Sequence, residues 1–210
     1  MGISVNDSKL SELARLISGW PGLVSGSATD LIEDSLVLLD HLGEARRLVD
    51  VGSGGGLPGL ALKIKRPDLD VSLIEADQTK AAFLVQACAS LGLAGVEVVA
   101  QRAEDAGRDK RYRETFDVAV ARALAPMPTL VELCLPLVRI GGRLLAQKTD
   151  SEAIEGSRHA IELLGGELEF VLPAPSAMRR SGTVVAVTKV RATPADYPRR
   201  PGVPGRKPLS

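Results

Sequence analysis

The segment LVDVGSGGGLPG, residues 48–59, sets Asp50 two residues ahead of glycines at 52, 54, 55, 56 and 59. Glycine has more backbone freedom to lose on folding than any other residue, so this density calls for a reason, such as bare backbone closing on a ligand. Gly54-x-Gly56-x-x-Gly59 is a weak match to a dinucleotide fingerprint. A pyrophosphate needs amide donors at the following helix start. Pro58 removes one of them, and the Asp50 carboxylate would repel the phosphates. S-adenosylmethionine avoids both problems. It has no phosphate, and its ammonium and sulfonium suit an acid, so Asp50, Gly52, Gly54 and Gly56 are candidate cofactor residues.

Other chemistry-bearing residues follow the later apolar runs. Glu75 can accept both ribose hydroxyls, a role that fits NAD equally well. Glu104 is placed for the adenine amino group. Arg122 and Lys148 are candidate donors for orienting a substrate, and no catalytic residue is assigned. The plain alternatives are strand-end acids in water for Glu75 and Glu104, a buried ion pair for Arg122 and a snorkelling surface lysine for Lys148.

These residues need a scaffold that brings strand ends together. RLVDV, DVSLIEA, VEVVAQR, FDVAVARA and RLLAQKT read as five strands. Between them lie PGLALKIKR, a helix opened by Pro58, and DQTKAAFLVQACASLGL, a helix capped by Asp77 and closed by Gly92. The apolar stripe of the second helix is Ala81, Leu84, Val85, Cys88 and Leu91. MPTLVELCLPLVRIGG reads as a whole or broken helix. Strands alternating with helices imply right-handed crossovers and a parallel sheet, with ligands at the carboxyl edge. After the helix SEAIEGSRHAIELLGG, ELEFVLPAP and SGTVVAVTKV are too close for a crossover helix and should pair antiparallel.

The expected fold is therefore α/β: a Rossmann-like class I S-adenosylmethionine-dependent methyltransferase fold, with a seven-stranded sheet and an antiparallel last strand. A nicotinamide-binding fold would add a sixth parallel strand instead. DSKLSELARLISGW and DLIEDSLVLLDHLGEA carry helical apolar spacing. The expected organisation is an N-terminal helical extension over 1–45, a methyltransferase domain over 46–190, and a Pro/Arg-rich tail over 191–210 with no core of its own.

Composition narrows the function. The chain has 210 residues, 26 Lys+Arg and 26 Asp+Glu, so net charge is uninformative, but eight of the bases and only one acid lie from Ser176 onward. Cys88 and Cys134 form no metal or disulfide framework. With His41 and His159 the only histidines, no metal site or triad is expected. With two isolated cysteines, no signal-peptide pattern in the opening residues and no run suited to a membrane helix, a cytoplasmic protein is expected, and it is read as a monomer. The turn ARALAPMP lacks the Asn/Asp-Pro-Pro-aromatic pattern of adenine-amino methylation. Cys134, in an apolar helix pattern, is a poor nucleophile for pyrimidine C5. A ring nitrogen or an oxygen remains as acceptor.

DVGSGGGLPG, EADQTKAAFL, QRAED, VARALAP and YPRRPGVPGRKPL together resemble the small-subunit ribosomal RNA guanine-N7 methyltransferases, the GidB or RsmG family. The resemblance covers residues 46–210. It is weaker before them, where Pro21 follows Trp20 and Asp30-Leu31 stands in place of an Arg-His pair. It implies that Gly52, Leu57, Ala103, Glu104 and Arg122 line the S-adenosylmethionine site. It also implies that the partner is small-subunit rRNA or the assembled small subunit, and that the target is one guanosine. Arg179, Arg180, Arg199, Arg200, Arg206 and Lys207 are then candidate RNA contacts, with Tyr197 for base stacking. Competing readings are a small-molecule methyltransferase, a nicotinamide-dependent oxidoreductase, and a non-catalytic ribosome-binding module.

Overall fold

A computed structural model describes residues 8–149, 154–176 and 180–209. The apolar runs form β1 (Arg47–Val51), β2 (Asp70–Ile74), β3 (Val96–Val99), β4 (Phe116–Arg122), β5 (Val138–Thr149), β6 (Gly166–Pro173) and β7 (Gly182–Lys189). They make one sheet in the order β3-β2-β1-β4-β5-β7-β6. The first five strands pair in parallel, and β7 runs antiparallel to both β5 and β6. The expected sheet, with its last strand slotted back beside β5, is the one observed.

Helices cover both faces. On one lie α1 (Ser8–Ser18), α2 (Ala28–Leu36), α3 (Gly59–Lys65) and α4 (Gln78–Ser90), with Leu13, Ile17, Leu60 and Leu84 in one buried cluster. On the other lie α5 (Ala103–Ala106), α6 (Met127–Cys134) and α7 (Arg158–Leu163), around Leu130, Val131, Cys134 and Ile161. Ser27 and Asp77 cap α2 and α4 with their side chains. Among the described residues no helix is long and apolar enough to cross a membrane.

Three expectations need correction. The buried residues of α4 are Ala81, Phe83, Leu84 and Ala87, whereas Val85 is 57% exposed and Cys88 only half-buried. The cause is tertiary: the N-terminal segment covers this flank, and Trp20 meets Phe83 edge-on at 5.3 Å. Strand β5 begins at Val138, where the sequence suggested a helix end. The Gly141-Gly142 pair permits this, because a Cβ on Gly142 would lie 2.6 Å from the Asp117 carbonyl oxygen, and the register with β4 shifts there. The last expected helix is a short 3-10 turn, Ile154–Ser157, followed by α7. Its expected start at 151–153 lies outside the described residues.

Residues 191–209 are tied to the body by hydrogen bonds rather than by a core of their own. The Arg113 guanidinium donates to the carbonyls of Gly107, Thr193, Pro194 and Tyr197. Arg108 donates to those of Asp196 and Pro198. Lys189, wholly buried, donates to the Leu135 carbonyl and the Thr193 hydroxyl, both at 2.6 Å. The tail needs no core because arginines on the body satisfy its carbonyls. A short helix, α8 (Val203–Arg206), ends this strap.

Candidate cofactor and substrate cavity

A cavity of about 630 Å³ opens at the carboxyl edge of the sheet. Its floor is the loop after β1: Gly52, Ser53, Gly54, Gly55 and Leu57. Gly52 has φ +73°, and a Cβ there would lie 2.5 Å from Leu124 Cδ1. A Cβ on Gly55 would lie 2.8 Å from Val24 Cγ1, in the cavity's N-terminal wall. Glycine is thus required where the loop turns and where it is approached. Gly59, beyond the loop, has a different reason. Its Cβ would meet Asp50 Oδ2 and Leu73 Cδ2, each at 2.7 Å, so it lets α3 settle onto β1 and β2.

Asp50 does not face the cavity, contrary to expectation. It is fully buried, and its Oδ2 accepts the Gly59 N–H at 2.9 Å. Burial pushes its carboxyl up to about 7, against the Gly59 hydrogen bond and the pull of Arg122. The Gly59 amide, which a pyrophosphate would need, is therefore already taken.

Glu75, at the end of β2, braces the loop. Its two carboxylate oxygens accept from Gly54 N and Asp77 N, each at 2.8 Å. Each oxygen keeps a second acceptor position for a hydroxyl. Glu104 is 2% exposed, paired with Arg102 at 3.2 Å, and accepts the Gly202 N–H from the strap at 2.8 Å. Burial pushes its carboxyl up, but the Gly202 amide and Arg102 outweigh this and hold it below the usual carboxylate range. Neither Glu104 nor Ala103 lines the cavity. Glu104 reaches instead towards the tail.

The other wall holds Arg122, Ala123, Gln147 and Lys148. Arg122 faces Asp34 of α2 at 3.7 Å. Lys148 donates to the Ala125 carbonyl at 2.8 Å. Ala123 sits at φ +52°, a strained conformation for a residue with a Cβ. Lys80 and Asp34 complete the rim. Sequence reasoning overlooked Lys80, Asp34 and Gln147. Lys80, in the first turn of a helix leaving the sheet edge, had a local signal; Asp34 and Gln147 come together only through the fold.

Of the candidate RNA contacts, Arg180, Arg200, Arg206 and Lys207 are exposed. Arg199 is not available: its guanidinium and backbone amide bind Glu132, itself wholly buried, with the ion pair at 2.6 Å. Tyr197 is half-buried against the second core. Arg179 lies outside the described residues.

This sheet order, with a bare glycine loop and an open cavity at the carboxyl edge, defines a class I methyltransferase. The O-methyltransferase TomG from Streptomyces achromogenes, solved with S-adenosylmethionine, shares the fold with a TM-score of 0.60 at 22% identity, over 88% of this chain and 91% of that one. The chain belongs to the GidB family, rRNA small subunit methyltransferase G, whose family model matches residues 27–179. The family's methyl donor is S-adenosylmethionine. The relative named ribosomal RNA small subunit methyltransferase G from Moorella thermoacetica is 46% identical over 84% of this chain and 75% of its own. The protein of the same name from a Geobacillus species is 36% identical over 99% and 94%.

Proposed function

We propose that this protein methylates N7 of one guanosine in small-subunit (16S) ribosomal RNA, acting as a monomer in the cytoplasm. The observation that carries this reading is the meeting of the glycine loop with Arg122 and Lys148 across one cavity. Bound S-adenosylmethionine supplies an electrophilic methyl group on a sulfonium that leaves as a neutral thioether. The loop glycines leave room for its amino-acid part, and Glu75 keeps acceptor positions for its ribose. Guanine N7 has an in-plane lone pair and no hydrogen, so the protein need not remove a proton. Its task is to hold N7 in line with the methyl–sulfur bond, and positioning of this kind supplies most of the acceleration. Arg122 and Lys148 carry donors suited to O6, the acceptor beside N7.

The thiols support this choice of acceptor. Burial pushes Cys134 far up and Cys88 to about 11, so neither serves as the thiolate that C5 methylation of a pyrimidine needs. Exposed Arg180, Arg200, Arg206 and Lys207 would hold the RNA backbone. The test is to incubate the protein with methyl-labelled S-adenosylmethionine and purified small subunits or naked rRNA, then map the label by nucleotide. Label at N7 of a single guanosine is expected; label on another base, or only on metabolites or protein, overturns the reading.

A further inference from the structure

We propose that Gln147 recognises the 2-amino group of the target guanine, an inference that rests on the function proposed above. Gln147 lies near the carboxyl end of β5 and is the register partner of Arg122 on β4, so both side chains stand on one face of the sheet. Both line the cavity. Gln147 is 2% exposed. Its Nε2 donates to the Asp34 carbonyl at 2.7 Å. A carbonyl only accepts, so this bond fixes the amide and turns Oε1 away from Asp34. Oε1 is shielded from water and accepts no hydrogen bond among the described residues.

Buried polar atoms are nearly always paired, and an acceptor left over on a side chain that lines a cavity calls for a donor. The cations of this cavity, Lys80, Arg122 and Lys148, offer donors and so recognise acceptors. The Asp34 carboxylate is engaged by the Ser176 hydroxyl at 2.6 Å and faces Arg122. Gln147 Oε1 therefore complements an incoming N–H. Guanine carries O6 and N7 as acceptors and its 2-amino group as a donor, matching cations on one side and an amide oxygen on the other. Adenine puts an amino donor where O6 would be and has no 2-amino group, so it meets like against like at the first place and offers nothing at the second.

The experiment uses full-length protein and rRNA in which the mapped guanosine is replaced by inosine, which keeps N7 and O6 but lacks the 2-amino group. The wild type should lose about tenfold in kcat/KM on the inosine RNA. Gln147→Met should lose about as much on guanosine RNA, lose nothing further on inosine RNA, and bind S-adenosylmethionine within about twofold of the wild type. Equal wild-type rates on the two RNAs would overturn the inference, even if the variant does not fold. So would a variant whose deficit is in cofactor affinity, or losses that multiply. Failure of the wild type to methylate guanosine N7 at all would instead remove the reading beneath it, and this inference with it.

Discussion

Asp50 shows how a single carboxyl outside the cavity can brace the loop that forms its floor. Its Oδ1 has no hydrogen-bond partner among the described residues, in keeping with a carboxyl driven up to about 7. A carboxyl raised on folding stabilises the fold in its protonated form. That contribution is complete below about pH 4, the unfolded value, and is lost as the pH rises through 7. Asp50→Asn lacks this titration. Urea unfolding should show the stability gap moving in the variant's favour by on the order of 3 kcal/mol between pH 4 and pH 8; an unchanged gap would refute the account. Glu75 holds two backbone amides at once, which a carboxamide oxygen cannot do in the same geometry. Glu75→Gln should weaken S-adenosylmethionine binding by about tenfold in calorimetry and, by setting an NH2 against a buried amide, lower the melting temperature by a few degrees. The placement of Gly52 after β1 and of Glu75 after β2 was legible because loop and strand end are set by short-range pattern. Gln147 was not, since its partner Asp34 lies 113 residues away and only packing brings them together.

At the scale of elements, the sheet was legible and its dressing less so. Alternating apolar runs placed all seven strands, and the short gap before β7 predicted its antiparallel return. The flank of α4 was misread because Trp20, not local periodicity, decides which residues are covered. In the strap the departure concerns one residue, Arg199. The strap's basic residues look like ligands for phosphate, yet Arg199 is spent on Glu132. Removing one partner of such a pair leaves a buried charge uncompensated. Arg199→Ala should therefore destabilise the protein by about 3 kcal/mol in urea unfolding, well beyond the effect of trimming exposed Arg200. Equal small effects would show that the pair carries no structural weight.

For the molecule as a whole, a neutral total charge conceals a basic rear, of which Arg180, Arg191, Arg200, Arg206 and Lys207 are exposed among the described residues. If these meet rRNA phosphates, replacing Arg206 and Lys207 by Ala should weaken RNA binding at all sequences. The slope of log affinity against log salt should fall by about 0.7 for each single-strand phosphate that is no longer neutralised. An unchanged slope in filter binding would place the RNA elsewhere. The strap has one more consequence, in the timing of synthesis. Glu104 is made 98 residues before Gly202, whose amide it accepts. At about 5–20 residues per second, a nascent chain carries that carboxylate without its tail partner for roughly 5–20 s. The acid within α5 acquires its finished surroundings only once Gly202 has left the ribosome.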